Sequence, residues 1–200
     1  DLHSFPTRRS SDLTEITITA GATIAIFSAI QAIVHADDEV IIFDPSYDSY
    51  APSLQLVGAK AIHIPLNAPE FCVDWNQVKS AITNKTRMVI VNTPHNPTGA
   101  VWSKQDWLNL IELIQDKNIV VLSDEVYEHL IYDGEKHYSA LSFPELRDRS
   151  FVVGSFGKTF HVTGWKTGYC VASPQLMQVF RQVYQFANFC GVTPVQMALA

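Results

Sequence analysis

The chain has 200 residues, 47% of them hydrophobic and only 17% charged, enough apolar material for one large domain with a sizeable core. Its formal charge of −6, with no Lys/Arg cluster outside the first ten residues, excludes a nucleic-acid-binding surface. The longest apolar run, Ala22–Val34, is broken by Thr23, Ser28 and Gln31 and falls short of the ~20 residues a bilayer demands, so no membrane span is predicted. In chain order, the first thirteen residues, DLHSFPTRRSSDL, carry polar clusters, a Pro and an Arg pair without an amphipathic period. They look like a translated sequencing adapter, and native sequence is expected to begin near Thr14. The first predicted strand is Glu15–Thr19, followed by a helix over Ala22–His35, a strand at Val40–Phe43 and a helix over Tyr47–Val57. Strands at Lys60–Pro65 and Arg87–Asn92 flank a helix over Trp75–Ile82. A helix over Lys104–Lys117, with Ser103 as its N-cap, leads to a strand at Val120–Ser123. The last strands are Ser150–Gly154 and Gly168–Ala172, and a helix from Pro174 to about Phe189 closes the pattern with Pro in its first turn.

Runs such as MVIV and IVVL are apolar at every position, the mark of strands buried on both faces of a mainly parallel sheet. Alternation of seven such strands with helices predicts an α/β fold: a mainly parallel seven-stranded sheet with helices on both faces. About thirteen residues separate Gly154 from Gly168, too few for a long crossover helix, so the final strand is expected to run antiparallel. Cys72, Cys170 and Cys190 form no CxxC or metal pattern and are expected to be buried free thiols. Their odd number and the lack of a signal peptide predict a reducing, cytoplasmic setting.

In such sheets ligands sit beyond the carboxyl ends of the strands, and the chemically versatile residues fall there repeatedly. Gly21-Ala22-Thr23 forms a strand-to-helix turn whose backbone N–H groups and Thr hydroxyl suit a phosphate, although tight turns also use Gly for packing. Asn92-Thr-Pro-His95-Asn96-Pro-Thr-Gly99 is a polar loop stiffened by two prolines. Asp124 and Tyr127 stand three apart, able to face one ligand from an opening helical turn, or else to serve as a cap and a packed aromatic. Ser155-Phe-Gly-Lys158 and Gly164-Trp-Lys166 place two lysines in a Gly-rich loop with few acids, a setting suited to an amine that must act as a nucleophile. No G-x-G-x-x-G follows the first strand, which argues against a dinucleotide site.

Taken together, TAGAT, DPSYDSY, NTPHNPTG, SDEVYEHL and SFGKTFHVTGWKTGY resemble the fold-type-I pyridoxal phosphate (PLP)-dependent aminotransferases of class I/II, most closely the methionine and kynurenine aminotransferase branch. The resemblance covers about Thr14 to Ala200. It implies that Lys158 is the Schiff-base lysine and proton carrier, and that Asp124 pairs with the pyridinium nitrogen. It further implies that Tyr127 and Asn96 bond the ring's phenolic oxygen and that Tyr47 stacks on the ring face. Ala22, Thr23, Ser155 and Lys166 would hold the phosphate, with Gly21 shaping the turn. Lys166 occupies a place often taken by Arg in these enzymes. Asn96 would also contact the substrate carboxylate and Asn92 would line the same pocket, while Asn92 and His95 suggest a pocket not made for a dicarboxylate. An Arg from a C-terminal small domain, which grips the substrate carboxylate in the family, and an N-terminal segment are expected to lie outside residues 14–200. This chain is therefore read as an incomplete PLP-binding large domain with little turnover by itself. The full-length protein is expected to be a cytoplasmic homodimer that transaminates methionine or aromatic amino acids with a 2-oxo acid. Two further readings stand beside it: a PLP-dependent C–S lyase, which shares these residues, and a non-catalytic sensor domain of a transcription regulator, which would carry a basic winged-helix segment before Thr14 and against which the SFGKTFHVTGWK stretch speaks.

Overall fold

A computed structural model describes residues 13–200. Of the adapter-like segment, only Leu13 falls within them. Seven strands form one sheet: β1 (Ile16–Thr19), β2 (Glu39–Asp44), β3 (Lys60–Pro65), β4 (Thr86–Asn92), β5 (Val120–Asp124), β6 (Ser150–Ser155) and β7 (Gly168–Ala172). Their spatial order is β1-β7-β6-β5-β4-β2-β3. The pairs from β3 through β6 are all parallel, whereas β7 runs antiparallel to both β6 and β1. The short β6–β7 connection is thus resolved as the sequence predicts. Only a one-turn helix and a 3₁₀ turn fit between these strands, so the chain doubles back instead of crossing over.

Among the described residues eight helices accompany the strands: α1 (Ala22–Ile33), α2 (Tyr50–Val57), α3 (Trp75–Ala81), α4 (Lys104–Ile114), α5 (Pro144–Arg147), α6 (Phe156–Thr159), α7 (Pro174–Ala187) and α8 (Thr193–Leu199). They divide the core in two. Val40 and Ile42 of β2, Met88 and Ile90 of β4, and Leu122 of β5 pack under Ala25, Ile26 and Ile30 of α1, Leu54 of α2 and Phe180 of α7. The alternate residues Ile41, Phe43, Val89, Val91 and Val121 face α3, α4 and α5 through Val78, Trp107, Leu110 and Leu146. Successive strand side chains point to opposite faces, so strands apolar throughout require both layers of helix.

Several helices stop earlier than the sequence pattern suggests, because other hydrogen-bond partners, local or distant, take over their ends. The α1 helix ends at Ile33, where the next turn is replaced by His35 N–H donating to Asp38 Oδ2 at 2.8 Å. At the end of α4 the carbonyls of Ile114, Gln115 and Lys117 accept from the Arg149 guanidinium at 2.7, 3.3 and 3.0 Å, and the helix unwinds there. Tyr47–Ser49 precede α2 as a turn instead of joining it. The expectation of three buried thiols is corrected. Only Cys170, on β7 between β1 and β6, is buried, while Cys72 lies in the β3–α3 loop and Cys190 beyond α7, both exposed. Among the described residues no helix is long and apolar enough to cross a membrane.

Candidate active site

The parallel strands deliver their carboxyl ends to one edge. Asn92 of β4 and Asp124 of β5 are register partners there, and Ser155 of β6 pairs with Gly168 at the start of β7. The antiparallel turn of β7 brings the end of β1 to the same edge, since Thr19 also pairs with Gly168. Only glycine fits at 168: a Cβ would lie 2.6 Å from the Gly154 carbonyl oxygen and 3.0 Å from the Ala22 nitrogen. A cleft of about 180 Å³ opens above this edge, and every site residue named from the sequence except His95 lines it.

One end of the cleft is suited to an anion. Gly21 enters α1 at φ 90°, a conformation that L side chains rarely adopt, and no side chain caps the helix. The first N–H groups of α1 are therefore left for a ligand, beside the exposed Thr23. The Lys166 amine lies 3.4 Å from where a Gly21 Cβ would stand. The turn is held from below: Thr19 Oγ1 donates to the Gly21 carbonyl at 2.9 Å, and Ala20 N–H donates to the Tyr184 hydroxyl at 3.1 Å. Beside this turn, through Gly168, the Ser155 hydroxyl accepts from Lys158 N–H at 3.4 Å and caps α6.

The other end is set by Asp124, only 3% exposed. Its Oδ2 accepts from the Tyr50 hydroxyl at 2.6 Å and its Oδ1 from Val126 N–H at 3.3 Å. Burial pushes its pKa up to about 6, against the pull of those two hydrogen bonds. No Lys, Arg or His is paired with it among the described residues, so its charge awaits a cationic N–H donor. Asn92 is a brace more than a free ligand group. Its Oδ1 accepts from Asn96 N–H at 2.7 Å and its Nδ2 donates to the Asp124 carbonyl at 2.9 Å. Between the two ends stand Tyr47, whose hydroxyl is 3.4 Å from Thr23 Oγ1, and Lys158, whose amine lies 5.6 Å from the centre of the Tyr127 ring.

The structure departs from the sequence reading at three places. Lys158 sits on the one-turn helix α6 and is exposed, rather than lying in an open Gly-rich loop. Asp124 ends β5, and Tyr127 follows in hydrogen-bonded turns (Glu128 N–H to Glu125 O, 3.0 Å; Leu130 N–H to Tyr127 O, 2.8 Å), not in a helix. His95 does not line the cleft. It is buried behind it with Nδ1 2.8 Å from Thr98 Oγ1, and burial lowers its pKa.

Other groups escaped the sequence reading. Tyr50 has no local signal, because its partner is 74 residues away. Thr163 and Thr167 line the cleft from the β6–β7 connection, together with Ile26 and Val126. Glu125, Glu128 and His137 each bring a possible ligand atom within 4.8 Å of the others. Those groups are engaged in hydrogen bonds. Glu125 Oε1 accepts from Ser123 Oγ, Ser139 Oγ and Ala140 N–H at 2.9, 3.1 and 3.0 Å; its Oε2 lies 2.9 Å from His137 Nε2. Glu128 accepts from Tyr169 at 2.5 Å. The network straps the segment carrying Tyr127 to the sheet.

In class, this is an α/β domain with a cleft at the carboxyl ends of its parallel strands. A family model for aminotransferase class I and II matches residues 7–200. The chain is 49% identical over 186 residues to a methionine aminotransferase of Escherichia coli, covering 93% of this chain and 48% of that protein. It is 39% identical over 196 residues to kynurenine–oxoglutarate transaminase 3 of Rattus norvegicus, covering 93% and 43% respectively. A solved Escherichia coli protein, reported with a methionine aminotransferase function, superposes with a TM-score of 0.92 at 48% identity, over 93% of this chain and 49% of that one. The chain belongs to the aminotransferase class I and II family. It spans about half the length of the curated relatives it matches.

Proposed function

We propose that the protein acts as a PLP-dependent aminotransferase, moving the amino group of methionine or an aromatic amino acid to a 2-oxo acid, as part of a homodimer. One observation carries this reading: a lysine amine, a buried carboxylate without a cation, and an uncapped helix N-terminus line a single cleft. The donor set matches PLP group by group. The α1 N-terminus, Thr23, Ser155 and Lys166 suit its phosphate, Tyr47 its ring face, Tyr127 and Asn96 its phenolic oxygen, and Asp124 its ring nitrogen.

When bound, PLP supplies the carbonyl that takes up an amino group and a ring that draws electrons from the substrate α-carbon. Lys158 would provide the amine that holds that carbonyl and could move a proton at the substrate α-carbon. Asp124 would keep a proton on the ring nitrogen as its counter-charge, and the Asn92 brace ties the Asn96 backbone to the Asp124 carbonyl. Support for the substrate class comes from the cleft lining. Ile26 and Val126 give it apolar surface beside the polar groups. That lining suits an uncharged side chain better than a second carboxylate. The names of the methionine and kynurenine relatives agree with it.

The test is borohydride reduction of the protein mixed with PLP, followed by mass measurement. A stable adduct on Lys158 is expected, and it should vanish in Lys158→Ala. An adduct of undiminished yield in the variant would overturn the assignment. With the full-length protein, turnover of methionine only when a 2-oxo acid is present is expected. Release of thiol and pyruvate from cystathionine without an acceptor would refute transamination as the main activity. Light scattering should report a mass twice that of the full-length chain, and a monomer would refute the dimer.

A further inference from the structure

We propose that Tyr50 is a positioning residue for Asp124: its phenol, donating to Asp124 Oδ2 at 2.6 Å, holds the carboxylate ionised and in one orientation for the ring nitrogen. The inference rests on the PLP reading of the cleft and deepens it. Tyr50 has no place in the cleft itself. It lines the small cavity behind, with His95 and Trp102, whereas Asp124 lines the cleft, so Tyr50 acts only through Asp124.

The two groups are matched by burial and distance. Both are 3% exposed, and among the described residues Tyr50 is the only side chain that donates to the Asp124 carboxylate, beside the longer backbone bond from Val126. A phenol oxygen buried this deeply needs a partner, and a carboxylate buried this deeply needs donors, so each satisfies the other. The charged and titratable neighbours sharpen the roles. Burial, with Glu125 alongside, works to protonate Asp124, and the Tyr50 bond opposes both. Tyr50's own pKa is raised, by burial first and by the charge of Asp124 next, with Tyr47 and Tyr127 adding to it. It therefore remains a donor throughout the neutral range. Lys158 faces the same cleft and is not bonded to either group.

The placement is built into DPSYDSY. Tyr47 and Tyr50 stand three apart across the turn that opens α2, their rings edge to face at 5.6 Å. One short segment thus provides both the aromatic face in the cleft and the hydroxyl behind Asp124.

The experiment is a carboxyl-¹³C NMR titration of Asp124 in the full chain without cofactor, comparing the parent protein with Tyr50→Phe. The midpoint should rise by about one to two pH units when the hydroxyl is removed, the scale of a lost hydrogen bond to a charge. An unchanged midpoint in a folded variant would overturn the proposal. Should the variant not fold, the parent protein decides. The Tyr50 Cζ signal is expected to move with the Asp124 midpoint, and independent titration of the two would sink the idea. In the PLP-loaded protein, a ¹⁵N-labelled ring nitrogen should lose its proton at roughly tenfold higher proton concentration in Tyr50→Phe. An identical ring-nitrogen titration would again reject the role. If the parent protein takes up no PLP, the functional reading fails, yet the cofactor-free titration still decides whether Tyr50 governs Asp124.

Discussion

Asp124 shows how one residue sets stability and chemistry in opposite directions. Its folded pKa of about 6 lies above the ordinary 3.8 because burial disfavours the charge. Between those values the folded state binds more protons than the unfolded one, so stability falls as pH rises from about 4 to about 6. Above that window the cofactor-free protein carries the full cost of a buried charge, about 3 kcal/mol by the two-unit shift. Urea unfolding of the cofactor-free protein should therefore show Asp124→Asn gaining on the parent as pH goes from about 4 to about 7, by up to about 3 kcal/mol. A gap that stays constant with pH would contradict a destabilising carboxylate. The same cost prepares the site for a ring N–H, which would supply the counter-charge that no side chain offers. Asn92 teaches a related lesson. Its residue type and strand-end position were legible as part of the cleft, but both ends of its amide are occupied by backbone groups that no local pattern reveals.

At the scale of elements, helix ends divide into those written locally and those written at a distance. The start of α4 is local: Ser103 Oγ accepts from Asp106 N–H at 3.2 Å, and Asp106 Oδ2 accepts from Ser103 N–H at 2.8 Å. Ser103→Ala should lower stability by about 1 kcal/mol in urea unfolding, leaving the cofactor site unchanged. An effect near zero would mean that tertiary packing alone holds the helix start. The other end of α4 depends on Arg149, 35 residues from the carbonyl of Ile114, and so lay outside any sequence window. The α6 helix was missed for a different reason. Four residues carry no readable helical period, and FGKT becomes a turn only because Ser155 and the returning β7 strand fix its ends.

For the molecule as a whole, the site is an edge shared by both cores. The α1 helix belongs to the Ala25–Ile30 core and opens the anion cradle, while Asp124 ends a strand clamped between that core and the Trp107 side. A ligand at the cleft should therefore stabilise the global fold rather than one loop. With PLP at about a hundred times its dissociation constant, linkage predicts about 2.7 kcal/mol, which for a domain of this size is roughly 5–10 °C in Tm. Calorimetry with and without PLP measures it. No shift in the parent protein would contradict a cleft built for this ligand, and a shift equally large in Lys158→Ala would contradict the role of that lysine.

The sequence by itself determined the layered α/β architecture, the antiparallel last strand and the five segments that meet at one edge. These follow from apolar runs, connection lengths and strand-end residue types, all of which are local properties of the chain. Tertiary structure alone decided which groups act on one another: Tyr50 on Asp124, Asn92 on Asn96, Arg149 on α4, and His95 away from the cleft. Those pairings depend on distances of a few ångströms between residues brought together by the sheet register, and register is settled by how the faces of the sheet are buried.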